Sequence, residues 1–325
     1  MTVCIAAICK AIPTTLTPNW EQQKMIIGAA DRMLTVGEII EYEPEATNKI
    51  YQFSSAIFAM LAGDFGMQTE ILRGVISTVN DRIAAEPEKW LDVKWVAEMY
   101  AENFKKCHLC RAENAILAPQ GLDLTSFLKD QKNLNPEFVK QIASKLAQFQ
   151  SPGVEAILCG HDVTGAHIYV VDNSANVTCH DVVGFAAIGI GNWHANSQFM
   201  FANHTPFRGF AETLLLTYSA KKRAEVAPGV GADTDMFIVG PFLGQCVPSV
   251  APHVLDKLYE AYKSNLKRKQ KIDKNSQIKV GKYLDEIVKK EEEKAKQQST
   301  SPSTTAPAPP SEQSQPSVDP TKKQP

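Results

Sequence analysis

The chain has 325 residues, of which 44% are hydrophobic, enough apolar material for one large domain or two small ones. Its formal net charge of −2 gives no indication of a nucleic acid or a membrane surface as partner. No run approaches the ~20 apolar residues of a membrane span, and no secretory signal pattern precedes the first apolar run. The seven cysteines are odd in number, as is typical of free thiols in a reduced compartment, so we expect a cytoplasmic protein.

The first third of the chain predicts strands and then helices. Apolar runs bounded by turn residues predict strands over residues 2–9, 25–31, 48–53 and 56–63, the last two joined as a hairpin. The polar, proline-marked stretch 12–24 predicts a loop. Apolar residues at helical spacing predict two helices, over 68–84 and 90–106.

The rest of the globular part repeats this order after a helical insert at about 108–150. The insert holds a short segment at 122–128 and a helix at 135–149, with Pro136 suited to its first turn. The elements predicted after it are strands 154–159, 166–171 and 176–179, an apolar step at 185–189, helices 192–203 and 207–225, and strand 235–239. Because strands and helices are segregated rather than alternating, the pattern favours the α+β class.

Beyond residue 245 the composition changes. Charged helical segments are predicted over 250–269 and 281–296, and the Ser/Thr/Pro/Gln-rich stretch 297–325 cannot bury a core and predicts disorder. We therefore divide the chain into a domain at 1–245, a charged helical extension at 246–296 and a tail at 297–325. The extension is either a solvated face or a docking segment for a partner.

Thr2 follows the initiator Met1 and opens the first apolar run. A small residue at this position usually permits removal of the methionine, which would leave threonine at the chain terminus. Such a residue carries a nucleophile and a base together, since its hydroxyl can attack a carbonyl while its α-amine, with a pKa of ~8, takes the proton. Cys4 is a weaker alternative nucleophile, because further cleavage would be needed to make it terminal.

Several short motifs follow Thr2 in a fixed order, namely Ala29-Ala30-Asp31, Thr35-Val36-Gly37, Lys49, Ala62-Gly63, Gly189-Ile190-Gly191 and the loop 229–235. Their order over residues 2–240 resembles the proteasome β-type family of N-terminal nucleophile hydrolases, especially its bacterial members. The resemblance implies a four-layer αββα sandwich, here with the helical insert and the disordered tail added. It also implies a homo-oligomer, in which a buried chamber admits peptides or unfolded protein.

The resemblance also assigns roles to four residues. Thr2 is the nucleophile, Lys49 lies beside its hydroxyl and helps to relay the proton, and Asp31 fixes that lysine. The backbone N–H of Gly63 supplies the oxyanion hole. No cofactor and no metal is implied.

Three positions depart from the family pattern. Ile190, Ala227 and Val230 stand where active members carry a serine, an aspartate and a serine that support the threonine, although Asp233 or Thr234 can be aligned as substitutes. Three hypotheses follow. The chain is a threonine peptidase, a catalytically silent scaffold of the proteasome fold, or an N-terminal nucleophile hydrolase that acts on small amides.

Overall fold

Eleven strands and seven α-helices occur in the residues that the computed structural model describes, which are 2–12, 23–36, 40–43, 49–241 and 246–299. The strands are β1 (Cys4–Lys10), β2 (Lys24–Asp31), β3 (Leu34–Val36), β4 (Ile40–Tyr42), β5 (Ile50–Gln52), β6 (Ile57–Gly63), β7 (Val154–Asp162), β8 (Gly165–Val171), β9 (Val177–Cys179), β10 (Phe185–Ile188) and β11 (Thr234–Val239). The helices are α1 (Phe65–Ala85), α2 (Val93–Ala112), α3 (Leu124–Asp130), α4 (Pro136–Gln148), α5 (Asn192–Phe201), α6 (Phe210–Ala224) and α7 (Pro252–Ser299). The predicted α+β class is thus confirmed.

Two antiparallel sheets contain most of the strands. The first has the order β10-β1-β2-β11, the second has the order β5-β6-β7-β8-β9, and β3 pairs with β4 alone. In the first sheet Cys4 lies opposite both Ala30 and Ile188. This register brings the residues just before β1 beside the end of β2 and the end of β10.

A buried apolar layer fills the space between the two sheets. It joins side chains of β1, β2, β10 and β11 to side chains of β6, β7 and β8. Phe58 of β6 stacks on Phe237 of β11, with ring centroids 4.4 Å apart. The Phe237 ring occupies the space above Gly28, where a Cβ would lie only 2.0 Å from the ring. A glycine in β2 therefore makes room for the stacked phenylalanine pair between the sheets.

Helices cover the outer faces of both sheets. Helices α1 and α2 pack on the β5–β9 sheet around Tyr100 and Phe104, whereas α5 and α6 pack on the other sheet around Phe199 and Ala220. The first turns of α7 add Val254, Leu255, Leu258 and Tyr262 to a cluster with β1, β2 and α6.

The segment between α2 and β7 is helical, as predicted. A π-helical turn (Glu113–Leu117) and a 3-10 turn (Ala118–Gln120) lead into α3 and α4. Asp123 begins α3 with a capping box, and Asn135 followed by Pro136 begins α4. Leu117, Phe127 and Ile142 form a small core of their own.

The structure differs from the sequence prediction at several points. Strands β3 and β4, of three residues each, have no counterpart among the predicted strands. The two predicted charged helices are one helix, α7, since a single glycine, Gly281, costs only about 1 kcal/mol in a helix interior. The chain divides into two units after Ser264, within α7.

Two further predictions concern residues that the structure mostly does not describe. Most of the predicted 12–24 loop, and the tail from 300, lie outside the described residues. None of the helices in the described part of the chain has the length and apolar character needed to cross a membrane.

Candidate active site

Asp31, the last residue of β2, is completely buried and accepts hydrogen bonds from five donors. Its Oδ1 accepts from the Thr2 hydroxyl (2.5 Å), the Val3 N–H (2.9 Å) and the Lys49 ammonium (2.9 Å). Its Oδ2 accepts from the N–H groups of Met33 (3.1 Å) and Gly231 (3.0 Å). Because all five groups donate, the site suits a carboxylate whose two oxygens both act as acceptors. We call Thr2, Asp31 and Lys49 the Asp31 cluster.

Lys49 lies just before β5 and is nearly inaccessible to solvent, with 6% of its surface exposed. Its backbone carbonyl accepts from the N–H of Leu61 in β6, which fixes the start of the hairpin next to the first sheet. An ammonium and a carboxylate buried together attract each other strongly, whereas either one alone would be costly to bury. The cluster therefore depends on both charges.

Gly63 ends β6 in a conformation that requires glycine. Its φ is +102°, and an added Cβ would lie 2.2 Å from the carbonyl oxygen of Gly153. It shares a cavity of about 180 Å³ with Thr2; the other lining residues are Gly153, Val154, Glu155, Asn173, Gly189 and Ile190. The structure thus brings Thr2 into contact with Asp31 on one side and places it on the same cavity as Gly63.

Two glycines after β10 allow the chain to approach Thr2 closely. Gly189 has a φ of +82°, and a Cβ there would lie 2.4 Å from the Thr2 carbonyl oxygen. The N–H of Gly191 donates to that same oxygen (3.2 Å). The segment from Gly189 to Gly191 therefore contacts the backbone of Thr2 and holds it in place.

The three apolar positions that depart from the family pattern contribute packing instead of polar support. Ala227 and Val230 are buried in a cluster with Val3 and α6, and Ile190 is half exposed at the cavity. Asp233 lies 3.6 Å from Arg32. Thr234 keeps a buried hydroxyl for which the described residues offer no hydrogen-bond partner. Among the described residues, neither is hydrogen-bonded to Thr2.

Lys221 is a functional candidate that the sequence reasoning missed. It is fully buried in α6 and donates to the carbonyls of Gly231 and Ala232, both at 2.8 Å, and to Glu225 at 2.6 Å. Burial lowers the pKa of its ammonium to about 8. It fixes the loop whose Gly231 N–H donates to Asp31. The sequence signal was its position on the buried face of α6, four residues after Thr217.

Cys4 is poorly suited to act as a nucleophile. It is completely buried between the sheets, and this burial raises the pKa of its thiol to about 12. Its Sγ donates a weak hydrogen bond to the carbonyl of Leu61 (3.5 Å).

A second polar cluster lies at the other end of the β7–β8 hairpin. His167 Nδ1 lies 2.6 Å from Asp181, and its Nε2 lies 2.6 Å from the Thr164 hydroxyl and 3.2 Å from Asp162. The Thr164 hydroxyl also donates to Asp162 (2.7 Å). The hydrogen bond to Asp181, followed by the charge of Asp162, raises the pKa of His167. We call these four residues the His167 cluster; the sequence spacing of the histidines did not reveal it.

The His167 cluster borders a cavity of about 750 Å³, wider than the cavity at Thr2. Across the described ranges, no group of three histidine, cysteine or acidic side chains is arranged to hold a metal ion. No protein-family model matches the chain, and no curated protein matches it. The geometry of the two clusters is therefore the basis for assigning a function.

Proposed function

We propose that the chain is a proteasome-type threonine peptidase, in which removal of Met1 exposes Thr2 as the nucleophile. One observation carries the proposal. The Thr2 hydroxyl donates to a buried aspartate that also binds a buried lysine, and Thr2 borders the same cavity as Gly63. A hydroxyl, a carboxylate and an ammonium in contact, beside a glycine with an unusual backbone, suit acyl transfer.

In the proposed reaction, the Thr2 oxygen attacks the carbonyl carbon of a peptide bond while its proton passes to the α-amine of Thr2. The negative charge formed on the carbonyl oxygen is stabilised at the Gly63 backbone. The C–N bond then breaks, the leaving amine takes the proton, and an ester to Thr2 remains. Water attacks this ester in the same way, which releases the acid and restores the hydroxyl. Asp31 and Lys49 keep the hydroxyl in position and supply compensating charge.

The proposal includes the fold that the resemblance implies, a four-layer αββα sandwich. Helices on both outer faces and an apolar layer between two antiparallel sheets support it. We also propose a cytoplasmic homo-oligomer that acts on peptides or unfolded protein. Large exposed apolar side chains on α5, Trp193 (82% exposed) and Phe201 (86% exposed), support self-association.

The exposed apolar residues of α7 beyond Ser264 support a docking role for the extension. They include Val280, Tyr283, Leu284 and Ile287, which share one face at helical spacing.

A second candidate is a catalytically silent scaffold of the same fold. The apolar side chains at Ile190, Ala227 and Val230 favour it, because they provide no hydrogen bond to a terminal amine. An N-terminal nucleophile hydrolase acting on small amides is the remaining alternative, and the small cavity at Thr2 favours that alternative.

Intact-mass analysis after treatment with a peptide epoxyketone tests the proposal, because this probe reacts with a hydroxyl and an amine on the same terminal residue. We expect loss of Met1 and one adduct that Thr2→Ala abolishes. Thr164→Ala is the matched control, since Thr164 also donates to a buried aspartate but is internal. A retained Met1, or an adduct that persists in Thr2→Ala, would contradict the peptidase proposal. Cleavage of small amides but not of peptides would favour the amidase.

A further inference from the structure

Among the described residues that line the cavity at Thr2, Glu155 is the only one with an ionisable side chain. It lies in β7, opposite Ala62 of β6, and is only partly buried. Its Oε2 accepts a hydrogen bond from the N–H of Gly189 (2.9 Å), where an added Cβ would lie 2.4 Å from the carbonyl oxygen and 2.8 Å from Cγ2 of Thr2. Gly189 thus lies between the Glu155 carboxylate and Thr2.

Glu155 has no cationic partner within the described residues. None of the ion pairs among the described residues includes Glu155. Its single side-chain hydrogen bond in that part of the chain comes from a neutral backbone N–H. A carboxylate in a small cavity is stabilised by a cation in the same cavity. Before Met1 is removed, the nitrogen of Thr2 is a neutral amide. Removal of Met1 converts that nitrogen into an ammonium.

We infer that Glu155 is a positioning residue whose carboxylate pairs with the α-ammonium of Thr2, in place of the polar supports absent at Ile190, Ala227 and Val230. The inference rests on the proposed function, since only removal of Met1 creates this amine. The Glu155 carboxylate orients the amine toward the cavity and favours its protonated form. The amine must be unprotonated to accept the hydroxyl proton. Because Glu155 raises the pKa of the amine, it sets the pH below which the reaction stops.

Other charged groups near Thr2 affect this amine differently. Asp31 and Lys49 form an ion pair of opposite charges, so they largely cancel at the amine. The Cys4 thiol is neutral because burial raises its pKa to about 12. Lys221 lies behind the Gly231 carbonyl and is paired with Glu225. Among the described residues that line the cavity at Thr2, Glu155 is therefore the one whose charge is not compensated.

The test measures the pKa of the Thr2 amine directly, in the full chain starting at Thr2. Trace acylation by acetic anhydride is followed across pH, and the modified N-terminal peptide is quantified by mass spectrometry. If Met1 is retained on expression, a cleavable fusion that leaves Thr2 as the first residue provides the same chain. We expect Glu155→Gln, which keeps an acceptor for the Gly189 N–H, to lower the pKa of the amine by about one unit.

Two controls separate charge from packing. Glu155→Asp keeps the charge and should retain most of the raised pKa, whereas Glu137→Gln removes an exposed carboxylate of α4 and should change nothing. The acidic limb of epoxyketone labelling should shift to lower pH by the same amount in Glu155→Gln.

An unchanged amine pKa in Glu155→Gln would overturn the inference, even if Thr2 is labelled normally. A changed preference for basic peptides without a pKa change would also overturn it, because Glu155 would then bind substrate. Absence of any Thr2-dependent adduct would instead count against the peptidase, and acylation would still decide the role of Glu155.

Discussion

The Asp31 cluster and the His167 cluster contain the same kinds of group but differ in burial and in their cation. In each, a threonine hydroxyl donates to an aspartate that also contacts a cation. In the Asp31 cluster the cation is a lysine that is 6% exposed. In the His167 cluster the basic group is a histidine, a cation only when protonated, whose side chain is 17% exposed and whose neighbour Asp181 is 24% exposed.

The difference shows which features point to chemistry. Thr164 is an internal residue and borders a wide cavity, so its hydroxyl has no amine of its own to act as a base. Thr2 gains such an amine if Met1 is removed, and it borders a small cavity with Gly63. Hydroxyl, carboxylate and cation alone therefore do not define the proposed site.

The largest expected effect is that of Asp31→Asn. Because it removes the buried carboxylate that the Lys49 ammonium contacts, we expect a loss of about 3–5 kcal/mol in the free energy of unfolding. Labelling of Thr2 should fall by at least about 100-fold. Denaturant unfolding and intact mass measure the two effects.

Asp181→Asn is the matched variant in the other cluster. Asp181 is partly exposed and its partner His167 can lose its proton, so we expect a cost of only about 1 kcal/mol. Equal costs for the two substitutions would mean that burial does not distinguish the clusters.

Gly63→Ala should come next in size. The substitution adds a Cβ at a φ of +102° and against the Gly153 carbonyl, so we expect a loss of about 3 kcal/mol and no labelling of Thr2. Gly165, on the cavity of the His167 cluster, has a φ of +133° but open space around its missing Cβ. Gly165→Ala should therefore cost about 1 kcal/mol. Gly63→Ala combines a steric clash with a strained φ, whereas Gly165→Ala has the strained φ alone. Thermal and denaturant unfolding of the two variants therefore separate these two contributions to the loss of stability.

His167→Gln should change the pH dependence of stability. A raised folded-state pKa contributes stability that is fully present below the unfolded value of about 6.5 and is lost as the pH rises through the folded value. The advantage of the wild type over the variant should therefore shrink as the pH rises above about 6.5. Urea unfolding from pH 5 to 9 measures it, and a constant difference would show that His167 does not titrate with folding.

The smallest expected effect on stability is that of Ile190→Ser. Ile190 is 46% exposed, so we expect a change within about 0.5 kcal/mol. A hydroxyl at this position should leave epoxyketone labelling of Thr2 unchanged, because Glu155 already supplies the polar support in the inferred arrangement. Ile190→Val controls for the lost volume. Stronger labelling in Ile190→Ser than in Ile190→Val would mean that the support is missing, against the role inferred for Glu155.

Much of the fold could be predicted because its signals are local. Apolar runs, helical spacing, Asp123, Asn135 and Pro136 all act within a few residues, so they locate elements without knowledge of their partners. Element ends were less accurate. Helix α2 continues to Ala112, beyond the predicted residue 106, and Ala112 is buried there.

The sequence by itself determined the α+β class and the order of elements, and the family resemblance that its motifs carry gave the four residues Thr2, Asp31, Lys49 and Gly63 as candidates. Only the tertiary structure decided that Thr2 donates to Asp31, that Lys221 supports the Gly231 loop and that Glu155 binds the Gly189 N–H. The physical reason is distance along the chain. Glu155 and Gly189 are 34 residues apart, and no local pattern encodes a contact set by sheet register and packing.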